Sequence, residues 1–244
     1  MDLQNVWTVA TKDFSIFMKK KSIMYSVIAL LLSISIGLPA VVLFAERRAT
    51  IPIPALIPLL DAFAFFFVIL ASIIPTVMAA YSFVGEKLEK SLEPLLATPT
   101  ADSEILLGKS LAAFLPSVVA IYVSAPIFMV LTDAVTAGKI GYLFFPNWTI
   151  AVVLLLAAPL ACILSVELNV IISARINDIR TAEHLGGLVM LPFTGLYVLG
   201  EARFVTLDAN NLLIISAVLL LVDALLFFLS RSTFRREEIL TKWK

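Results

Sequence analysis

Residues 85–109 read GEKLEKSLEPLLATPTADSEILLGK, from Gly85 to Lys109. The stretch is a charged, proline-punctuated island between two long apolar runs. It stands in a chain of 244 residues that is 61% hydrophobic and only 15% charged. Mean hydropathy is +1.02. A soluble domain of this size needs far more polar surface, so a polytopic membrane protein is the expected class. So dense a polar segment is expected to lie in water, as a handle that a partner grips to move the helices on either side.

Working outward from the island, six apolar runs follow from the need for about 20 residues to cross roughly 30 Å of hydrocarbon. They lie at about 22–45, 62–85, 105–132, 148–174, 184–205 and 212–230. All 244 residues are thereby assigned to one all-α transmembrane domain. Lys19, Lys20 and Lys21 ahead of the first run resemble the start of a signal peptide. The uncharged stretch Ser22–Ala45 is 24 residues long, however, and so is read as a retained span.

Residues 1–21 place Val6, Trp7, Val9, Ala10, Phe14, Phe17 and Met18 at helical spacing, with Lys12, Asp13 and the lysine cluster between them. Such a pattern suits an amphipathic helix lying in the membrane interface, the alternative being a frayed start to the first span. Residues 47–61 contain Pro52, Pro54 and Pro58 and are expected to be extended.

Charge sets the expected orientation. The N-terminal segment, the 85–109 segment, the 175–183 loop and the C-terminus carry 14 of the 18 Lys and Arg residues. Arg47, Arg48, Lys139 and Arg203 are the remaining four. The positive-inside rule therefore puts both termini and the island in the cytosol.

Within the island, the second span should continue helically through Lys90. Ser91 can cap a short helix with Glu93 and Pro94 in its first turn. Leu92, Leu95 and Leu96 form one apolar face, Thr98-Pro99 ends the helix, and Thr100 can cap the next one. Asp102 and Glu104 suit the positive end of its dipole. On residues alone, an ordinary interfacial loop whose leucines dip into lipid is the favoured reading.

Several chemistries are excluded by composition. Equal numbers of acidic and basic residues, 18 each, argue against nucleic-acid binding. One histidine, His184, and one cysteine, Cys162, cannot build a histidine or cysteine metal cluster. His184, at the mouth of the fifth span, reads as a surface or capping residue ahead of a catalytic one. No phosphate-binding loop is present: Gly108-Lys109-Ser110 ends like one, but Ser103 stands where its first glycine is needed.

Two acids fall inside spans. Glu167 lies eight residues before Arg175, about 12 Å along a helix, and Asp223 lies eight before Arg231. Exposed to lipid at mid-membrane, each would cost roughly 2.5–3.5 kcal/mol. They are possible intramembrane polar sites for a proton, ion or substrate, or else hydrogen-bond across helices to Asn169, serines or water, or stand as neutral protonated acids. The fifth span carries Gly186, Gly187, Pro192 and Gly195, and either runs on to about Val205 or bends and re-enters.

The residues Phe83, Glu86 and Ser91-Leu92-Glu93-Pro94-Leu95-Leu96-Ala97-Thr98-Pro99, followed by Glu104-Ile105-Leu106-Leu107-Gly108-Lys109, resemble the permease subunits of ABC-2 type transporters. Ser173 to Ala182, leading to Pro192, is also similar to that family. The resemblance covers essentially the whole chain. It implies six transmembrane helices, an interfacial N-terminal helix and a short cytosolic coupling helix between spans 2 and 3. It further implies a plasma-membrane permease, an exporter without enzymatic activity of its own, paired with a second permease copy or a related subunit. ATP and Mg would be held by a partner ATPase. Glu86, Glu89, Leu92, Glu93, Leu95, Leu96, Thr98 and Pro99 would couple to that ATPase. Arg175, Asn177, Asp178 and Arg180 would form a second cytosolic contact. The alternatives are a non-transporting scaffold or regulatory subunit and, further off, an intramembrane enzyme.

Overall fold

The computed structural model describes residues 2–48, 51–88 and 100–233. Among them every regular element is helical. Helix α1 is Leu3–Lys19 and α2 is Lys21–Arg48. Helix α3 begins as Ile53–Ala80, widens into a π-turn at Tyr81–Gly85 and closes with Glu86–Leu88. Helix α4 is Asp102–Ile140. Helix α5 runs Trp148–Val152, a second π-turn at Val153–Ala157, then Ala158–Arg175. Helices α6 (Ile179–Gly187), α7 (Met190–Glu201) and α8 (Ala209–Thr233) complete it. Six of these stretches, with α6 and α7 counted as one, are long and apolar enough to cross a membrane.

Helices α3 and α5 form the enclosed centre, and they pack most extensively on each other. Helix α4 lies against α3 on one side and carries α2 and α1 outward; α8 lies against α5, and α6 and α7 lie against α3. The core joins Phe63, Phe65 and Phe67 of α3 to Phe128 of α4, whose ring meets Phe67 at 5.3 Å between centroids. Outer faces of α2, α4, α7 and α8 leave Ile28, Leu32, Val123, Val198, Leu221 and Phe228 exposed, as lipid contact requires. At 39 residues, α4 is about 58 Å long and outruns the roughly 30 Å hydrocarbon layer.

At the end of the bundle away from α1, side chains fix the loops. Asp133 accepts from the backbone N–H groups of Phe144 and Phe145 at 3.0 and 3.1 Å. Asn147 caps α5 by accepting from Ile150 N–H and donates to Asp61, both at 2.9 Å. Gly141, at φ 84°, ends α4 in the left-handed conformation that glycine tolerates.

Several boundaries differ from the sequence expectations. The stretch through Pro54 and Pro58 is helical rather than extended, because α3 already starts at Ile53. Pro52 is its N-cap and Pro54 sits in the first turn, where a missing N–H costs nothing. The cap of α4 falls on Ala101 rather than Thr100, and Glu104 reaches back to the Ala101 N–H at 3.3 Å. The fifth span starts at Ile179, inside the expected 175–183 loop, and breaks at Leu188 and Val189. There the N–H groups bond back three residues, to Leu185 and Gly186, at 3.2 and 3.1 Å.

Candidate functional site

The site begins at the root of the 85–109 island, where α1, the π-turn of α3 and the first turns of α4 meet. Lys109 was expected to be part of a water-exposed handle. It is instead fully buried, at 0% exposure. Its Nζ lies 2.5 Å from Glu86 Oε2 and 3.2 Å from Asp13 Oδ2, and donates to the Ser82 carbonyl at 2.8 Å. The Ser82 hydroxyl donates to Asp13, and Lys12 reaches Glu86 Oε1 at 2.6 Å. Two lysines and two carboxylates thus balance, and ammonium donors are matched with acceptors, which is how charge is tolerated away from water.

The local sequence explains how this forms. On α1, Val6, Val9, Ala10, Asp13 and Phe17 share the face turned to protein, while Leu3, Trp7, Phe14 and Met18 point outward. The apolar residues of 1–21 are therefore split between two faces, and Asp13 belongs to the buried one. Gly108 lets α1 come close: a Cβ there would lie 2.7 Å from Val9 Cβ and 2.8 Å from the Val6 carbonyl oxygen. One turn earlier, Glu104 accepts from the backbone N–H of Asp2 at 2.6 Å and from Asn5 at 3.0 Å. Glu104, Gly108 and Lys109 together form the seat of the N-terminal helix.

Electrostatics differ between the two acids. Burial raises the Asp13 carboxyl above the usual range; Lys109 pulls it back in part, and nearby Glu86 adds to the rise. Asp13 Oδ1 has no hydrogen-bond partner, consistent with that direction. Burial also raises Glu86, but Lys109 and Lys12 outweigh it and hold Glu86 below the ordinary value. Two ammonium groups at 2.5 and 2.6 Å make that direction the expected one.

The other half of the root is apolar. Ala80 and Val84 of α3 pack with Ala182 of α6, flanked by Ile172, Ile176 and Ile179. The two stretches singled out in the sequence, 83–109 and 173–182, therefore touch at this end of the bundle. Asp178 caps α6 by accepting from Thr181 N–H at 2.8 Å and Thr181 Oγ1 at 2.7 Å. These bonds from Thr181 hold the Asp178 carboxyl below the usual range. Arg175, Asn177 and Arg180 are exposed beside it, and His184 is exposed in the last turn of α6.

Of the proposed coupling residues, Glu86 is described and faces inward at 5% exposure. It anchors the segment from behind rather than offering a contact surface. Glu89, Leu92, Glu93, Leu95, Leu96, Thr98 and Pro99 lie outside the described residues, as does the short helix expected over them. The Gly108-Lys109-Ser110 resemblance to a phosphate-binding loop falls inside helix α4, with its lysine engaged by Glu86 and Asp13.

Glu167 and Asp223 are buried, as expected of acids inside spans, but not through Asn169. Asn169 instead donates to Thr76 Oγ1 at 3.1 Å and to the Ser165 carbonyl at 3.0 Å, and packs so closely on α6 that a Cβ at Gly186 would sit 2.4 Å from its Oδ1. Among the described residues no group of three or more His, Cys, Asp or Glu side chains could hold a metal.

Asp13, Ser82 and Lys12 are the residues that sequence reasoning missed. A signal was present: Asp13 follows Val9 by four positions, so it belongs to the apolar stripe rather than between its members. Compared with protein-family models and with curated proteins, the chain matches none.

Proposed function

We propose that this chain is the membrane-spanning permease subunit of an ATP-driven ABC-2 type transporter, an exporter of the plasma membrane. It would couple to a separate ATPase through residues 86–100. The observation that carries the reading is the motif in the 83–109 stretch, with Ser91-Leu92-Glu93-Pro94-Leu95-Leu96-Ala97-Thr98-Pro99 flanked by anchors on both sides. Glu86 and Lys109, one at each root of that segment, are locked together at 2.5 Å, so a push on the segment is delivered to α1, α3 and α4 as one body.

The excess of Lys and Arg at this end supports a cytosolic location for both termini and for the coupling segment. In this reading Leu92, Leu95 and Leu96 form an apolar patch rimmed by Glu89, Glu93 and Thr98, the composition of an interface hot spot. Arg175, Asn177, Asp178 and Arg180 would add a second contact. Two permease copies, or one copy and a related subunit, would pair. ATP and Mg bind on the two ATPases, whose closure swings the bundles between inward- and outward-facing states.

Affinity purification of the full chain from its native membrane tests this. An ATPase bearing a phosphate-binding loop should co-purify, and its hydrolysis should rise when both are reconstituted in liposomes. Purification without such an ATPase would sink the reading, and binding without stimulated hydrolysis would favour a scaffold subunit.

A further inference from the structure

Helices α4, α5 and α8 line an open-sided cavity of about 240 Å³. Its wall is almost wholly apolar, including Leu111 and Phe114 of α4, Ile163 of α5 and Phe227 of α8; Ser110 and Glu167 are the polar exceptions. Glu167 is buried, at 8% exposure, and its Oε2 has no hydrogen-bond partner. Asp223 of α8 is 5% exposed and neither of its carboxyl oxygens is partnered. Among the described residues no lysine or arginine pairs with either acid.

This arrangement is unlike the other buried acids of the chain. Asp13 and Glu86 share Lys109, and Asp133 receives two backbone N–H groups. An unpartnered carboxylate in an apolar bundle is costly, and such groups are found where a cation or proton is received. Glu167 belongs to the wall of this pocket, which places its carboxyl group beside any ligand held there. Phe114 and Phe227 add aromatic rings that favour a cation beside them. A chamber of this size is below the roughly 300–1,000 Å³ of drug-sized pockets, which selects a small ligand.

We propose that this cavity is a binding site for a small lipophilic ammonium ion, its apolar body held by Leu111, Phe114, Ile163 and Phe227 and its charge met by Glu167. Asp223 does not line the cavity. The site deepens the transport reading by giving its cargo a class, but binding itself needs no ATPase and is measured on this chain alone. Failure here therefore leaves the coupling assignment standing, and the reverse.

The test uses the full chain in lipid nanodiscs, with benzyltrimethylammonium and its uncharged carbon isostere neopentylbenzene as probes, and empty discs subtracted. Saturable binding of the cation is expected. Glu167→Gln should weaken it at least tenfold and leave neopentylbenzene unchanged, and Asp223→Asn should weaken it less. Leu111→Trp, which fills the chamber without altering charge, should abolish binding of both probes. Absence of saturable cation binding to the unaltered chain overturns the proposal. So does cation affinity unchanged by Glu167→Gln, or binding of both probes that survives Leu111→Trp.

Discussion

Lys109 Nζ and Glu86 Oε2 are 2.5 Å apart, in a place from which water is excluded, and they bracket the polar island from its two ends. Removing one member of a buried ion pair leaves the other uncompensated, at a cost of about 3–5 kcal/mol. Lys109→Met should destabilise the purified chain by that order, read as a lower thermal unfolding midpoint, since it removes the ammonium partner of Asp13 and leaves Glu86 with Lys12 alone. The double variant Lys109→Met, Glu86→Gln should recover part of the loss. Additive losses in the double variant would show that the two groups are not coupled.

Close approach of α1 to α4 depends on Gly108. A methyl group at 2.7 Å from Val9 Cβ cannot be absorbed without moving the helix. Gly108→Ala should cost about 1–3 kcal/mol. Hydrogen exchange should quicken over residues 3–19 while the core of α3 and α5 stays protected. Unchanged protection of α1 would contradict the seat described above.

A similar contact fixes α6. Gly186→Ala places a Cβ 2.4 Å from Asn169 Oδ1, against a side chain held by Thr76 and Ser165. The single variant should be destabilised by about 1–3 kcal/mol. Combining it with Asn169→Ala should relieve the clash, so the double variant should lose less than the sum of the two singles. A thermal shift series on the four proteins decides it.

Asp178 gives a pH prediction. Its carboxyl titrates below the ordinary range because the Thr181 hydroxyl and N–H bond to the charged form. The sign follows: the cap's contribution is complete above the unfolded-state pKa and is lost as pH falls through the lower, folded-state value. The Thr181 amide resonance should therefore shift with a midpoint below that of a free aspartate. Asp178→Asn should abolish that titration, and a midpoint at or above the ordinary value would contradict the cap.

Much of the architecture was legible in the chain itself. Long uncharged runs can only be buried in lipid or in protein, so six spans followed from length and hydropathy, and the helical character of residues 3–19 followed from periodicity. Prolines misled at 52–58, because proline at a helix start reads in sequence like proline in a loop. The ion cluster was not legible for a different reason. Lys109 and Asp13 are 96 residues apart, and charge alone says water unless the partner is known. Glu86 was singled out from its motif, but its inward direction depends on the π-turn at Tyr81–Gly85, which no spacing rule announces. Glu167 and Asp223 were found because they are charged within spans; the cavity beside Glu167 depends on how α4, α5 and α8 pack.

In the proposed function, residues 86–100 would hold an ATPase through Leu95 and Leu96. The most direct measurement is ATPase co-purification with Leu95→Asp and Leu96→Asp variants, quantified against the unaltered chain at equal membrane content. Binding is expected to fall at least tenfold in each, the scale of losing about 1.4 kcal/mol or more from a hot-spot contact. ATPase capture equal to that of the unaltered chain in both variants would contradict the account.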